Sequence, residues 1–222
     1  MKTIAKILYL LFSVTFYIAN AQEKKNIKIA LLLDTSNSMD GLIEQAKSQL
    51  WTVVNELAIA KKDGVAPNLH LSLYQYGNDD LSAEEGHIRQ VCPFTQDLDL
   101  VSEKLFSLTT NGGNEYCGEV IQKSLKQLKW GVDSEDLKMI FIAGNEPFTQ
   151  GKISYLTACN YAKEKQVVVN TIFCGGYSEG IKSINYDYRK RKRRQDFKEQ
   201  IIENGSFYLF KPAIIKKELN RL

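Results

Sequence analysis

Proline is scarce in this chain, and several other absences narrow what it can do. Four prolines fall among 222 residues, and no Ser/Gly/Pro-rich stretch marks a linker, so the length reads as one ordinary domain. No segment repeats and none is of low complexity. None of the four cysteines forms a C-x-x-C pair, which argues against the common zinc and dithiol arrangements. Neither G-x-G-x-x-G nor G-x-x-x-x-G-K-[ST] follows the first strand-like segment, which removes those two phosphate cradles. Net charge is only +3. The run from Arg189 to Arg194 accounts for all of that excess, so the basicity is local. With no aromatic residues interleaved in that run, it reads as a solvated face, and nucleic acid is not an expected partner.

What is present begins with an apolar start. "MKTIAKILYLLFSVTFYIANAQ" combines Lys2 and Lys6, an apolar run from Ile7 to Ile18, and the small-x-small sequence Ala19-Asn20-Ala21. This reads as a signal peptide over residues 1–21, cut after Ala21. The alternative is a membrane anchor, but the run is shorter than the roughly 20 apolar residues a span needs, and no cysteine sits at the cut. No later segment is long and apolar enough to span. Export to the periplasm or beyond follows, with a mature domain over residues 26–222. All four cysteines then lie in an oxidising compartment where disulfides are possible.

Hydrophobic periodicity gives the fold class. Asn26 to Asp34 is continuously apolar, as expected of a strand buried on both faces. Leu42, Ile43, Ala46, Leu50, Val53, Val54 and Leu57 form a helical stripe. Leu69 to Gly77 alternates as a strand, and "HIRQVCPFT" pairs with it as an edge hairpin, with Pro93 near its end. Helices are expected over "LDLVSEKLFSL", "EVIQKSLKQL" and "ISYLTACNYAKEK", strands over "LKMIFIAG", "QVVVNTIFCGG" and "GSFYLF", and a last helix over "AIIKKELNRL". Alternating strands and helices predict an α/β, doubly wound, mostly parallel sheet covered on both faces. Ligands of such sheets bind beyond the carboxyl ends of the strands, where strand order reverses.

Three of those ends, "DTSNS", "AGNE" and "FCGG", would converge on one crevice with the "NGGNEYCG" loop. Asp34, Ser36 and Ser38 are spaced so that, in an extended loop, their oxygens project to one side. Hard oxygen donors of low charge suit Mg2+ or Mn2+. The plainer alternative is that these residues only cap the next helix.

Here "DTSNSM" resembles the D-x-S-x-S signature of the von Willebrand factor A domains, the metal-ion-dependent adhesion site, and the order of elements fits that family from about Asn26 to Phe210. The resemblance implies a Rossmann-like fold with a divalent cation (Mg2+ or Mn2+, with Ca2+ possible) at the top of the sheet. It implies binding of a protein or peptide ligand whose acidic side chain completes the coordination. Asp34, Ser36 and Ser38 would be the first metal-binding loop. In the second loop the family places a Thr, or an acid, two residues past a Gly-Gly; "NGGNEYCGE" puts Glu115 there. Thr110 is the alternative donor, with the wrong spacing. Glu115 and Glu119 could instead simply offset a helix dipole. The third loop departs from the family: "AGNEP" aligned on a T-D-G-E-P type of loop sets Gly144 where an aspartate belongs, leaving the Asn145 carbonyl as a neutral donor and Glu146 as a displaced acid.

Cys159–Cys174 is the expected disulfide, with Cys92–Cys117 as the remainder; four buried free thiols is the alternative. An enzyme is the competing class, since phosphoryl-transferring folds place a nucleophilic aspartate at the end of a first strand. Such an aspartate works beside a second acid two residues on, and here that residue is Ser36. His70 and His87 are expected in or beside the hairpin, far from the strand ends, and neither makes a convincing general base. A structural domain that has lost its ion is a third reading.

Overall fold

The computed structural model describes residues 25–61, 64–175 and 208–209. The signal segment, the Arg189–Arg194 run and the expected last helix lie outside them. Strands β1 (Asn26–Asp34), β2 (Asn68–Tyr76), β3 (Ile88–Thr95), β4 (Leu137–Gly144), β5 (Val168–Cys174) and β6 (Tyr208–Leu209) form one sheet in the order β3-β2-β1-β4-β5-β6. Every neighbouring pair is parallel except β2–β3. The doubly wound class and the antiparallel edge hairpin are therefore as the periodicity predicts. Among the described residues no helix is long and apolar enough to cross a membrane.

Helices α1 (Ile43–Ile59), α2 (Leu98–Phe106), α3 (Cys117–Gln127) and α4 (Tyr155–Glu164) cover the sheet. The pleat divides its side chains into two cores. Ile29, Leu31 and Leu33 of β1 join Ala46, Leu50 and Val54 of α1 and Val101 and Leu105 of α2 on one face. Ala30 and Leu32 join Tyr74, Tyr76, Val120, Ile121, Leu125, Ala158 and Ala162 on the other, under α3 and α4. Central strands thus have apolar residues on both sides, which is why β1 reads as a continuous run. β2 follows suit in its upper half: Leu71 to Leu73, Tyr74 and Tyr76 are all fully buried.

Local signals set the ends. Asp97 caps α2 by accepting from the Leu100 amide, and Ser154 caps α4 by accepting from the Leu156 amide. Pro93 sits on edge strand β3, where the β2–β3 register is irregular. Lys47, on the apolar stripe of α1, is buried yet satisfied: its ammonium bonds Glu44, the Phe106 carbonyl and the Leu108 carbonyl at 2.6, 3.2 and 2.7 Å. It closes the C-terminus of α2, a favourable place for a cation.

The expected disulfides are absent: Cys92, Cys117, Cys159 and Cys174 are all free thiols. The sheet explains why. Cys92 and Cys174 belong to the α1 side, Cys117 to the α3 side, and Cys159 rides on α4, which buries Ala158 and Ala162 on that same α3 side. Each expected pair would have to bridge the sheet, beyond the reach of a disulfide. Burial pushes the Cys117 and Cys174 thiols up to about 12.

Candidate functional site

β1 and β4 are neighbours at the point where strand order reverses, so their carboxyl ends frame a crevice. β1 ends on Asp34, fully buried. Past it the chain is pinned to β2: the Thr35 amide and hydroxyl both donate to the Tyr76 carbonyl, at 2.9 and 3.1 Å. A single 3-10 turn over Asn37–Met39 then leads toward α1. The second loop docks on this first one, with the Asn37 amide donating to the Gly112 carbonyl at 2.6 Å and the Asn111 amide to the Thr35 carbonyl at 3.0 Å. Gly112 has φ +64°, and a Cβ there would come within 2.1 Å of an Asp79 carboxylate oxygen, so only glycine fits.

Oxygen donors meet in this crevice. The Ser36 and Ser38 hydroxyls are 2.8 Å apart. Ser38 Oγ donates to Asn145 Oδ1 at 2.8 Å, and Asn145 Nδ2 donates back to the Ser38 carbonyl at 3.0 Å. Asp34 Oδ1 accepts from the Ser36 amide at 2.9 Å. Asp34 Oδ2 is buried with no hydrogen-bond partner. Burial raises the Asp34 carboxyl to about 7; the Ser36 backbone N–H and hydroxyl oppose the rise, the Glu115 charge adds to it, and the Asn145 backbone N–H opposes it more weakly.

Glu115 is also brought here, 4% exposed. Glycines make room for it. A Cβ on Gly77 would lie 2.9 Å from Asp34 Oδ1 and 3.2 Å from Glu115 Cγ, and one on Gly113 would lie 2.9 Å from Glu115 Oε1 and 3.3 Å from Ser36 Cβ. Gln150 clasps Glu115 from the third loop: Gln150 Nε2 donates to Glu115 Oε2 at 2.7 Å, and the Glu115 amide donates to Gln150 Oε1 at 3.2 Å.

The five sequence candidates, Asp34, Ser36, Ser38, Glu115 and Asn145, therefore gather around one crevice. Thr110 does not join them, because its hydroxyl donates to Asp40. Glu119 accepts from the Lys152 amide at 2.7 Å and ties the third loop to α3. His87 corrects the expectation that both histidines lie far from the strand ends. β3 runs antiparallel, so its start lies at the carboxyl edge: Gly77 N donates to the His87 carbonyl at 3.1 Å, and the ring stacks edge-on to Tyr116, 6.1 Å between centroids. Gln150, Gly77 and Tyr76 escaped the sequence reading. A glycine directly after an apolar strand was the one available hint, at Gly77.

The donor set fits a hard divalent cation in kind: two carboxylates, two hydroxyls and an amide carbonyl, all oxygen. A desolvated carboxylate with one oxygen unpartnered is a group that a cation would satisfy. Among the described residues, however, no group of three or more His, Cys, Asp or Glu side chains could hold a metal, so an ion here would depend on the hydroxyls and Asn145.

Comparison with known proteins agrees with the fold. The sequence profile described as the von Willebrand factor type A domain matches residues 28–199. No curated protein matches. Among solved structures, the SpRpn10 VWA domain is similar at 15% identity and a TM-score of 0.50, covering 68% of this chain and 75% of that one. The pilus adhesin SpaC from Lactobacillus rhamnosus GG, in its open conformation, is similar at 14% identity and 0.51, covering 68% and 24%. Proximal thread matrix protein 1 from the mussel byssus, with a zinc-occupied MIDAS motif, is similar at 14% identity and 0.53, covering 69% and 39%. This chain spans well under half of the adhesin and of the thread protein. At these identities the likeness is one of fold.

Proposed function

Because the chain belongs to the von Willebrand factor type A domain family, we propose that it is an exported, divalent-cation-dependent interaction module. It binds a protein or peptide ligand at the crevice between the ends of β1 and β4. Asp34, Ser36, Ser38, Glu115 and Asn145 would hold the cation. The ion supplies a Lewis-acidic contact for an acidic side chain of the ligand. The chain's own contribution is to gather neutral oxygens beside two buried carboxylates and to fix their spacing through the Ser38–Asn145 pair.

The observation that carries this reading is the state of Asp34: fully buried, with Oδ2 lacking any hydrogen-bond partner. Burying a carboxylate this way is costly unless a charge compensates it. One relative of the same fold has zinc in its MIDAS motif and another is a pilus adhesin, which is in keeping with the proposal. Mg2+ or Mn2+ is the expected ion, with Ca2+ as an alternative, and the periplasm or the extracellular space is the expected location.

Calorimetric titration of the mature protein with each ion, alongside Asp34→Ala, tests the ion. Binding heat lost in the variant is expected. The absence of both heat and thermal shift with every ion would leave the second reading, an interaction domain of the same fold without an ion. That reading is favoured by one observation, Gly144 at the end of β4 in place of a third acid.

A further inference from the structure

The end of β4 shows why Gly144 stands where it does. A Cβ built on Gly144 would lie 2.6 Å from the Tyr76 hydroxyl, 3.0 Å from Asp34 Oδ2 and 3.2 Å from Asp34 Cβ. Distances below 3.0 Å are not compatible with a real side chain unless the neighbour moves. Tyr76 has little freedom to do so. It is fully buried at the end of β2, its hydroxyl donates to the Ala143 carbonyl at 3.2 Å, and the Cys117 thiol sits 3.8 Å from the same oxygen. Its ring packs in the core beneath α3 with Tyr74 and Ile142. The phenol therefore reaches across β1, the strand between β2 and β4, and fills the volume that any side chain at position 144 would enter.

We propose that Tyr76 is a specificity-determining residue of the cation site: by occupying the space beside Gly144 it excludes a carboxylate from position 144, so that Asp34 and Glu115 are the two buried carboxylates gathered in the crevice among the described residues. The proposal rests on the ion reading above and adds to it the residue that sets the charge of the site. Cation affinity and choice depend on the number of charged ligands and on how far they can adjust. With two carboxylates, two hydroxyls and an amide carbonyl, the site holds a divalent ion weakly and leaves a coordination position for a partner. A third acid would tighten the site and favour the ion that tolerates more oxygen ligands, Ca2+ over Mg2+.

Two measurements on the full mature chain test this separately. The first is a double-mutant cycle on thermal stability with chelator present. Gly144→Ala should lower the melting temperature by roughly 5 °C in the wild-type background, and by less than half as much in Tyr76→Phe, which lacks only the hydroxyl. Equal losses in both backgrounds would overturn the exclusion. The second is ion titration of wild type, Tyr76→Leu, and Tyr76→Leu with Gly144→Asp. The double variant should bind Ca2+ at least about tenfold more tightly than Tyr76→Leu alone. A wild type that binds ions beside a double variant of unchanged affinity would defeat the role of Tyr76 and leave the ion reading standing. Coupled stabilities with no ion bound by any of the three proteins would defeat the ion reading, and with it the claim that Tyr76 tunes an ion.

Discussion

Ser38 and Asn145 hold each other through two hydrogen bonds, hydroxyl to amide oxygen at 2.8 Å and amide nitrogen to backbone carbonyl at 3.0 Å. They come from loops more than a hundred positions apart, after β1 and after β4, and their pairing joins the two lips of the crevice. Asn145→Ala removes both bonds. Because the pair is solvent-exposed, the stability loss should be small, about 1 kcal/mol or less, while Mn2+ affinity should fall several-fold. Denaturant unfolding and ion titration on the same variant separate the two effects, and an unchanged affinity would remove Asn145 from the ion's ligands.

Asp34 makes folding depend on pH in an unusual direction. Its carboxyl is raised from 3.8 to about 7 in the folded protein, so folding takes up a proton between those values. Without a cation, stability is greatest below about pH 4 as far as this group is concerned, and falls as pH rises through about 7. The loss amounts to a few kcal/mol at most. Melting curves in chelator from pH 5 to pH 8 should show the decline, and Asp34→Asn should flatten it. Mg2+ at pH 8 should restore stability to the wild type and not to the variant.

Gly118 lies in the first turn of α3, where a Cβ would come within 2.0 Å of the Ile153 carbonyl oxygen. The helix and the third loop touch backbone to backbone there. Gly118→Ala, which by helix propensity alone would help, should instead cost about 2–3 kcal/mol. Urea unfolding measures it; a stabilised variant would mean the contact yields freely.

Four free thiols, three of them buried, predict how the protein responds to redox reagents. Reductant should leave the melting temperature unchanged. A thiol reagent at neutral pH should react slowly at Cys117 and Cys174 in the folded state, since burial raises both to about 12, and should titrate all four after denaturation. A reductant-sensitive melt would show a disulfide that this fold does not provide for.

Lys47→Met keeps the apolar stem of the side chain but leaves the Phe106 and Leu108 carbonyls without their ammonium donor. An isolated surface ion pair would lose almost nothing, whereas a buried helix-terminal cation should cost about 1–3 kcal/mol. Calorimetric unfolding of the variant discriminates between the two.

Much of this molecule was determined by local pattern. Asn26 to Asp34 reads as a two-faced buried strand because each of its neighbours in the sheet is another strand and both faces carry helices. Asp34, Ser36 and Ser38 are legible as a motif of one short loop, although a 3-10 turn over Asn37–Met39, and not the extended loop expected from their spacing, sets the Ser38 hydroxyl beside that of Ser36. Tertiary structure alone decided the rest. The cysteines sit on levels that look compatible, yet the faces of the sheet separate them, and a face is fixed by register across the whole fold and not by neighbours in the chain. His87 lies at the ligand-binding edge because β3 turns back antiparallel. Gln150 meets Glu115, and Tyr76 fills the space beside Gly144, through contacts between residues 35 and 68 positions apart. Such contacts leave no periodic trace, because what selects them is the shape of a volume that exists only once the strands have been assembled.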